Sequence, residues 1–274
     1  MAPENDFILS KDGLRLNVHH WKSQNPSHIL CIVHGLGEHG GRYLEMAEFL
    51  ASNNISVLAL DHRGHGVSEG KKGHTKSYEH MLSDIEELLK YSRLHYIDVP
   101  MILYGHSMGG NLVTGYVLQN IGSELSGFIL SSPFYEVAFE PPKWKVSLAN
   151  FMEKIYPSLT QSNELEIEAI SRIPEEVEKY KSDPLVHDRL SVRLFLELMN
   201  HGQIFIEDKK KIKLPGLVYH GDSDRLVSFE ATEKFTKNHP NIEWHPLDNV
   251  YHEPHNDLGK EKVLEMIKDF VEKI

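Results

Sequence analysis

The stretch Pro100–Asn120, PMILYGHSMGGNLVTGYVLQN, decides how the chain is read. Residues 100–104 form an apolar run of strand length. Gly105-His106-Ser107-Met108-Gly109 follows, and then a segment rich in small and helix-forming residues. A strand that bends sharply into a helix with Gly-x-Ser-x-Gly at the bend is a nucleophile elbow. The bend leaves no room for side chains beside the serine, which explains the flanking glycines. It lifts the Ser107 hydroxyl above the sheet and aims the first N–H groups of the helix at whatever the hydroxyl attacks.

The same pattern occurs twice, the second time as Gly66-Val67-Ser68-Glu69-Gly70. Ser68 follows the polar loop Asp61–Gly66 and precedes KKGHTKS, which has no helical apolar pattern. Ser68 therefore reads as a loop residue and Ser107 as the nucleophile.

Outward from the elbow, strands alternate with helices. Leu14–Trp21 follows the turn Lys11-Asp12-Gly13 and alternates like a half-exposed antiparallel strand. His28–Val33, Ile55–Leu60 and Leu214–His220 are continuous apolar runs, as buried parallel strands are. Helices are expected over Tyr43–Asn53, Tyr78–His95 and Phe229–Lys237, and Ile242–Leu247 is the last strand. This order predicts an α/β fold, a mostly parallel sheet with helices on both faces. The order breaks over residues 134–207, which carry helical patterns and prolines at 141, 142, 157, 174 and 184. That stretch reads as an inserted helical cap, or lid, between core segments 1–133 and 208–274. Trp144, Leu148, Phe151, Met152 and Ile155 share one helical face there. Packing against the core is the first expectation for that face; docking on a lipid surface or lining an acyl tunnel is the sharper one.

Composition sets bounds. The net charge of −11 argues against a nucleic-acid partner. The 18 histidines show no metal-ligand spacing, so no metal or cofactor is expected, and most are expected in loops or at the surface. Cys31, the single cysteine, has no partner for a disulfide. The opening MAPENDF lacks a signal-peptide pattern, and no apolar run is of spanning length. The expectation is a cytoplasmic protein, with peripheral membrane contact through the cap as an addition.

Ligands of such folds sit beyond the carboxyl ends of the strands. A serine hydroxyl needs a base, and the base an orienting acid, in the chain order Ser, Asp or Glu, His. Asp222 and Asp224 both follow a strand, and His252 and His255 both follow the last one. We choose Asp224, from the spacing Gly221-x-x-Asp224-x-x-Val227, and His252, the nearer to the strand. Backbone N–H groups of Leu36 and Met108 are the expected oxyanion donors. His34 reads as structural, holding the glycine loop that follows it.

Taken together, His34–His39 with Arg42 and Tyr43, Asp61–Gly66 with Ser68, Gly105–Gly110, Tyr180–Leu185, Asp224-Arg225 and Tyr251-His252 resemble the α/β-hydrolase superfamily. Within it they are most similar to the monoacylglycerol lipase and lysophospholipase-like serine hydrolases. The segment Ala138–Trp144 departs from that family's lid. The resemblance implies a triad of Ser107, Asp224 and His252, an oxyanion hole from Leu36 and Met108, and a small lipid ester as substrate. It also implies a polar head-group pocket, whose family positions fall on Glu38, Arg42, His106, Tyr180 and His255. A surface ion pair is the plain alternative for Glu38 and Arg42, four residues apart. A non-catalytic scaffold on the same fold is the rival class.

Overall fold

The computed structural model describes residues 3–119, 124–139 and 142–274; Asn120 and Pro141 lie outside them. The chain opens with strands β1 (Glu4–Leu9), β2 (Arg15–Trp21) and β3 (His28–Val33), then helix α1 (Leu44–Ser52), strand β4 (Ile55–Leu60) and helix α2 (Tyr78–His95). Strand β5 (Met101–His106), helix α3 (Met108–Leu118) and strand β6 (Gly127–Ser131) follow. The insertion comprises α4 (Lys143–Ile155), β7 (Thr160–Ser162), α5 (Pro174–Ser182), β8 (Arg189–Ser191) and α6 (Val192–Glu207). The chain closes with β9 (Gly216–Gly221), α7 (Phe229–Lys237), β10 (Ile242–Leu247) and α8 (Lys260–Glu272).

Eight strands form one sheet in the order β1-β2-β4-β3-β5-β6-β9-β10. β4, β3, β5, β6, β9 and β10 pair in parallel in that order, and β2 pairs antiparallel with both its neighbours. The parallel strands β3, β4, β5, β6 and β9 are buried almost throughout, because helices cover both faces. α2, α3 and α6 pack into one core with Cys31, Leu103 and Leu130. α1 and α8 pack into the other, with Leu30, Tyr104 and Leu217. This is the mostly parallel sheet with helices on both faces that the strand and helix order predicts, and it agrees with the α/β-hydrolase fold that the resemblance implies. The central strand β5 lies between β3 and β6, so its carboxyl end meets the glycine loop after β3.

Two expectations fail. β2 is not half-exposed: Asn17 and His19 on its polar face are buried, as are Leu16, Val18 and His20 on the other. Asp61 explains part of this, since it accepts hydrogen bonds from Asn17 Nδ2 (3.0 Å) and from His19 Nε2 (2.9 Å). Most histidines do lie in loops or at the surface, but the loop ones are largely buried: twelve of the 18 are buried in all, His239 among them. Second, the apolar face of α4 does not pack on the core. Val146, Ala149, Met152 and Glu153 form the half-buried stripe of this helix, which packs on α6. Trp144 (64% exposed), Leu148, Phe151 and Ile155 are left facing outward. α6 itself contributes Leu194, Leu198, Phe205 and Ile206 to the main core. No helix among the described residues is long and apolar enough to cross a membrane.

Candidate active site

The elbow is set by sterics. Ser107 has φ +52° and ψ −116°, a conformation that non-glycine residues hold only when the surroundings force it. The force comes from close backbone approach. A Cβ on Gly105 would lie 2.4 Å from the Gly109 carbonyl oxygen, and one on Gly109 would lie 1.9 Å from that of Val33. The first α3 hydrogen bond runs from Asn111 N to Ser107 O (3.1 Å). The N–H groups of Met108, Gly109 and Gly110 precede it and have no partner within the helix.

Above the elbow, His252 Nε2 lies 3.0 Å from Ser107 Oγ, and His252 Nδ1 lies 2.6 Å from Asp224 Oδ2. Asp224 is held by four donors. Its Oδ1 accepts from Leu226 N (2.8 Å) and Val227 N (3.1 Å), and its Oδ2 accepts from His252 and from His220 Nε2 (2.9 Å). Burial opposes its charge, but the His252 imidazole and these hydrogen bonds hold its pKa far below the ordinary carboxylate value. Burial likewise opposes a charged His252, yet the Asp224 carboxylate outweighs it and raises the imidazole above its ordinary 6.5. Asp222, the alternative acid, is exposed and caps a turn, accepting from Asn249 N (2.7 Å). Ser68 Oγ donates to Asp61 O (2.6 Å) and accepts from Asn17 N (2.8 Å), both backbone groups. His34 ties two loops: its Nδ1 donates to Gly35 O (2.7 Å) and its Nε2 accepts from His62 N (3.0 Å).

Leu36, Met108 and Ser107 open into a cavity of about 340 Å³. Its lining combines apolar residues, among them Phe134, Val137, Phe139, Phe195 and Leu198, with polar ones. Of the five positions matched to a head-group pocket, Glu38, His106 and Tyr180 line the cavity. Arg42 and His255 are not among its lining residues; they stand behind it. Arg42 is no surface partner of Glu38. Its side chain is buried, reaches Glu38 Oε2 (2.7 Å), stacks 4.6 Å over the Tyr180 ring and grips Glu253 with two nitrogens (2.7 and 2.8 Å). His255 stacks on Tyr43, and burial drives its pKa down to about 4. Glu253, which lines the cavity, and His220, which shares Asp224, were not singled out in the sequence. A signal for Glu253 existed, a carboxylate adjacent to the chosen histidine, but its partner Arg42 is 211 residues away.

A serine on a strand–helix elbow, an imidazole and a carboxylate in series beyond the carboxyl edge of a parallel sheet define an α/β-hydrolase. Comparison with known proteins narrows the class. The family model described as serine aminopeptidase, S33, matches residues 24–259, and the chain belongs to that family. It is 31% identical over 265 residues to a monoacylglycerol lipase of Mycolicibacterium smegmatis, covering 94% of this chain and 93% of the relative. It is 33% identical over 273 residues to an uncharacterised abhydrolase domain-containing protein of Dictyostelium discoideum, spanning 97% of this chain but only 29% of that protein. The crystal structure of Paleococcus ferrophilus monoacylglycerol lipase superposes with a TM-score of 0.84 at 31% identity, covering 93% of this chain and 98% of that one.

Proposed function

We propose that the chain hydrolyses single-acyl glycerol esters through an acyl-enzyme on Ser107. That it is a carboxylic ester hydrolase follows from its family and its relatives. The finer reading rests on one observation: the continuous hydrogen-bond path from Ser107 Oγ through His252 to Asp224, opening into a cavity lined by both apolar and polar side chains. In this reading neutral His252 takes the Ser107 proton as the oxygen attacks the ester carbonyl. The N–H groups of Leu36 and Met108 receive the developing negative charge. His252 then gives its proton to the departing glycerol oxygen, and activates the water that frees the fatty acid. Asp224 keeps the imidazole in the tautomer with Nε2 facing the serine. The acyl chain lies along Phe134, Phe195 and Leu198, and the glycerol hydroxyls against Glu38, His106 and Tyr180. Arg42 and His255 act from behind, fixing Glu38, Tyr180 and His106 in place.

Residues 134–207 are proposed as the cap, with the inward face of α6 shared with the core. Its outward Trp144, Leu148, Phe151 and Ile155 support collection of substrate from a lipid surface. Phe139 is both exposed and part of the cavity wall, which puts that ridge close to the mouth.

The test is a fluorophosphonate probe together with a matched-chain panel of monoacylglycerol, diacylglycerol, lysophosphatidylcholine and a short soluble ester. Covalent labelling that vanishes in Ser107→Ala and persists in Ser68→Ala, with monoacylglycerol cleaved fastest, is expected. No label on folded protein would favour the scaffold reading, and equal rates across the panel a general esterase. Trp144→Ser with Phe151→Ser should slow hydrolysis of vesicle-borne substrate and spare the short soluble ester.

A further inference from the structure

The polar lining of the cavity is charged more heavily than its chemistry requires. Four carboxylates line the cavity, those of Glu38, Glu164, Glu166 and Glu253, against the single guanidinium of Arg225. Arg225 is already paired with Glu166 at 2.8 Å, and Glu164 with Lys145 at 2.8 Å, both near the solvent. Deeper in, Arg42 is the one arginine or lysine among the described residues that contacts Glu38 and Glu253, and three of its five N–H donors go to them. Its Nη1 donates to Glu38 Oε2 and Glu253 Oε1, and its Nη2 to Glu253 Oε2. The remaining contacts of both acids also come from donors: Gly35 N (2.6 Å) and Tyr43 Oη (2.9 Å) to Glu38, and Asn256 Nδ2 (2.8 Å) to Glu253. Each of these neighbours donates, as carboxylates require, which sets two acids against one arginine. Burial and the nearby Glu253 raise the Glu38 pKa above its ordinary value, whereas at Glu253 Arg42 outweighs burial and holds the pKa below it.

This excess sits next to the reaction centre. A methyl group added at Gly35 would touch Glu38 Oε1 at 2.9 Å on one side, and Ser107 Cβ and His106 Cδ2 at 3.3 Å on the other. One glycine therefore separates the Glu38 carboxylate from the proposed nucleophile. Glu38 and Glu253 are both buried, where a charge is screened far less than in water.

We propose that Glu253 is a specificity-determining residue: by occupying Arg42 it leaves the head-group wall net negative, so the site accepts neutral polyol esters and rejects those whose alcohol carries a phosphate monoester. The proposal rests on the ester-hydrolase reading of Ser107. An anionic head would need a free cation to replace its water, and the charge of Arg42 is already countered by Glu253 and Glu38, with one face of its guanidinium over the Tyr180 ring. The same field acts on the fatty-acid carboxylate once it is released, and speeds its departure. A neutral glycerol meets only hydrogen-bonding groups there: the Glu38 oxygens accept, and Tyr180 and His106 lie alongside.

The experiment compares 1-octanoyl-glycerol with 1-octanoyl-glycerol 3-phosphate below their micelle concentrations. The two share acyl chain and scissile bond and differ only in the phosphate. The wild-type ratio of kcat/KM should favour the neutral ester by on the order of 100-fold at low salt, and should shrink as potassium chloride is raised. In Glu253→Gln, which keeps the shape and frees part of Arg42, the ratio should fall about tenfold through faster cleavage of the phosphate ester. A wild-type ratio near one, or one insensitive to both salt and Glu253→Gln, overturns the proposal while leaving the ester-hydrolase reading intact. Failure of wild type to cleave either ester, while p-nitrophenyl octanoate is turned over, overturns the head-group reading beneath it. Should Glu253→Gln not fold, the wild-type ratio and its salt dependence decide alone.

Discussion

The chain carries the same five-residue pattern twice, and the two copies have been put to opposite uses. At Ser107 the hydroxyl stands on a strained turn and meets only an imidazole nitrogen, 3.0 Å away. At Ser68 it is saturated by backbone, donating to Asp61 O and accepting from Asn17 N. The glycines differ in the same way. Those beside Ser107 are forced by carbonyl oxygens less than 2.5 Å from where a Cβ would sit. Those beside Ser68 serve a polar loop that hangs from the Asp61 carboxylate, with Val67 N bound to its Oδ2 (3.1 Å). A motif states which residues can make a turn; the elements on either side decide whether the serine inside it is free to react.

That contrast can be broken most directly at Ser107. Ser107→Ala should reduce turnover on the order of 10⁶-fold with an unchanged melting temperature, measured by ester hydrolysis and calorimetry. Ser68→Ala should do the reverse and keep its turnover. A dead Ser68→Ala that still folds would reverse the assignment of the two copies. Next in size, Asp224→Asn should lower kcat on the order of 10⁴-fold, because the amide no longer fixes the imidazole tautomer. The KM should move little. The structural cost at the second copy is smaller: Ser68→Ala strands the Asn17 N–H and should cost about 1–3 kcal/mol in denaturant unfolding. Smallest is the pH response. His252 must be neutral to act, and its pKa is raised, so activity is lost as pH falls through a value above 6.5 rather than below it. An acid limb of kcat/KM at or under 6.5 would mean that Asp224 does not govern the imidazole.

Much of the fold was legible because continuous apolar runs have one explanation in an α/β chain. The apolar runs His28–Val33 and Ile55–Leu60 match the observed strands end to end, as do the less apolar strand Ile242–Leu247 and the helix Tyr78–His95. The residues proposed for catalysis were legible for a related reason, since each follows a strand whose end could be read. What could not be read was polar burial. Asn17 and His19 have the spacing of a solvent-facing edge, and only the Asp61 carboxylate, 42 to 44 residues further on, makes their burial tolerable. The Arg42–Glu253 grip is a longer-range instance. The two-stranded antiparallel sheet of β7 and β8 has three residues per strand, too short to leave a period. The outward face of α4 escaped because its stripe of apolar residues is the same whether it meets a core or not.

Cys31 lies in the middle of β3, wholly buried, and burial pushes its thiol up to about 12. As the chain's single cysteine it is a built-in gauge of the folded state. A maleimide dye can reach it only when the sheet itself opens, so the labelling rate counts global opening events with no tag added. It also sits away from the cavity wall, so thiol-directed reagents that silence an ester hydrolase through a cysteine beside its nucleophile find no such handle in the described part of this molecule.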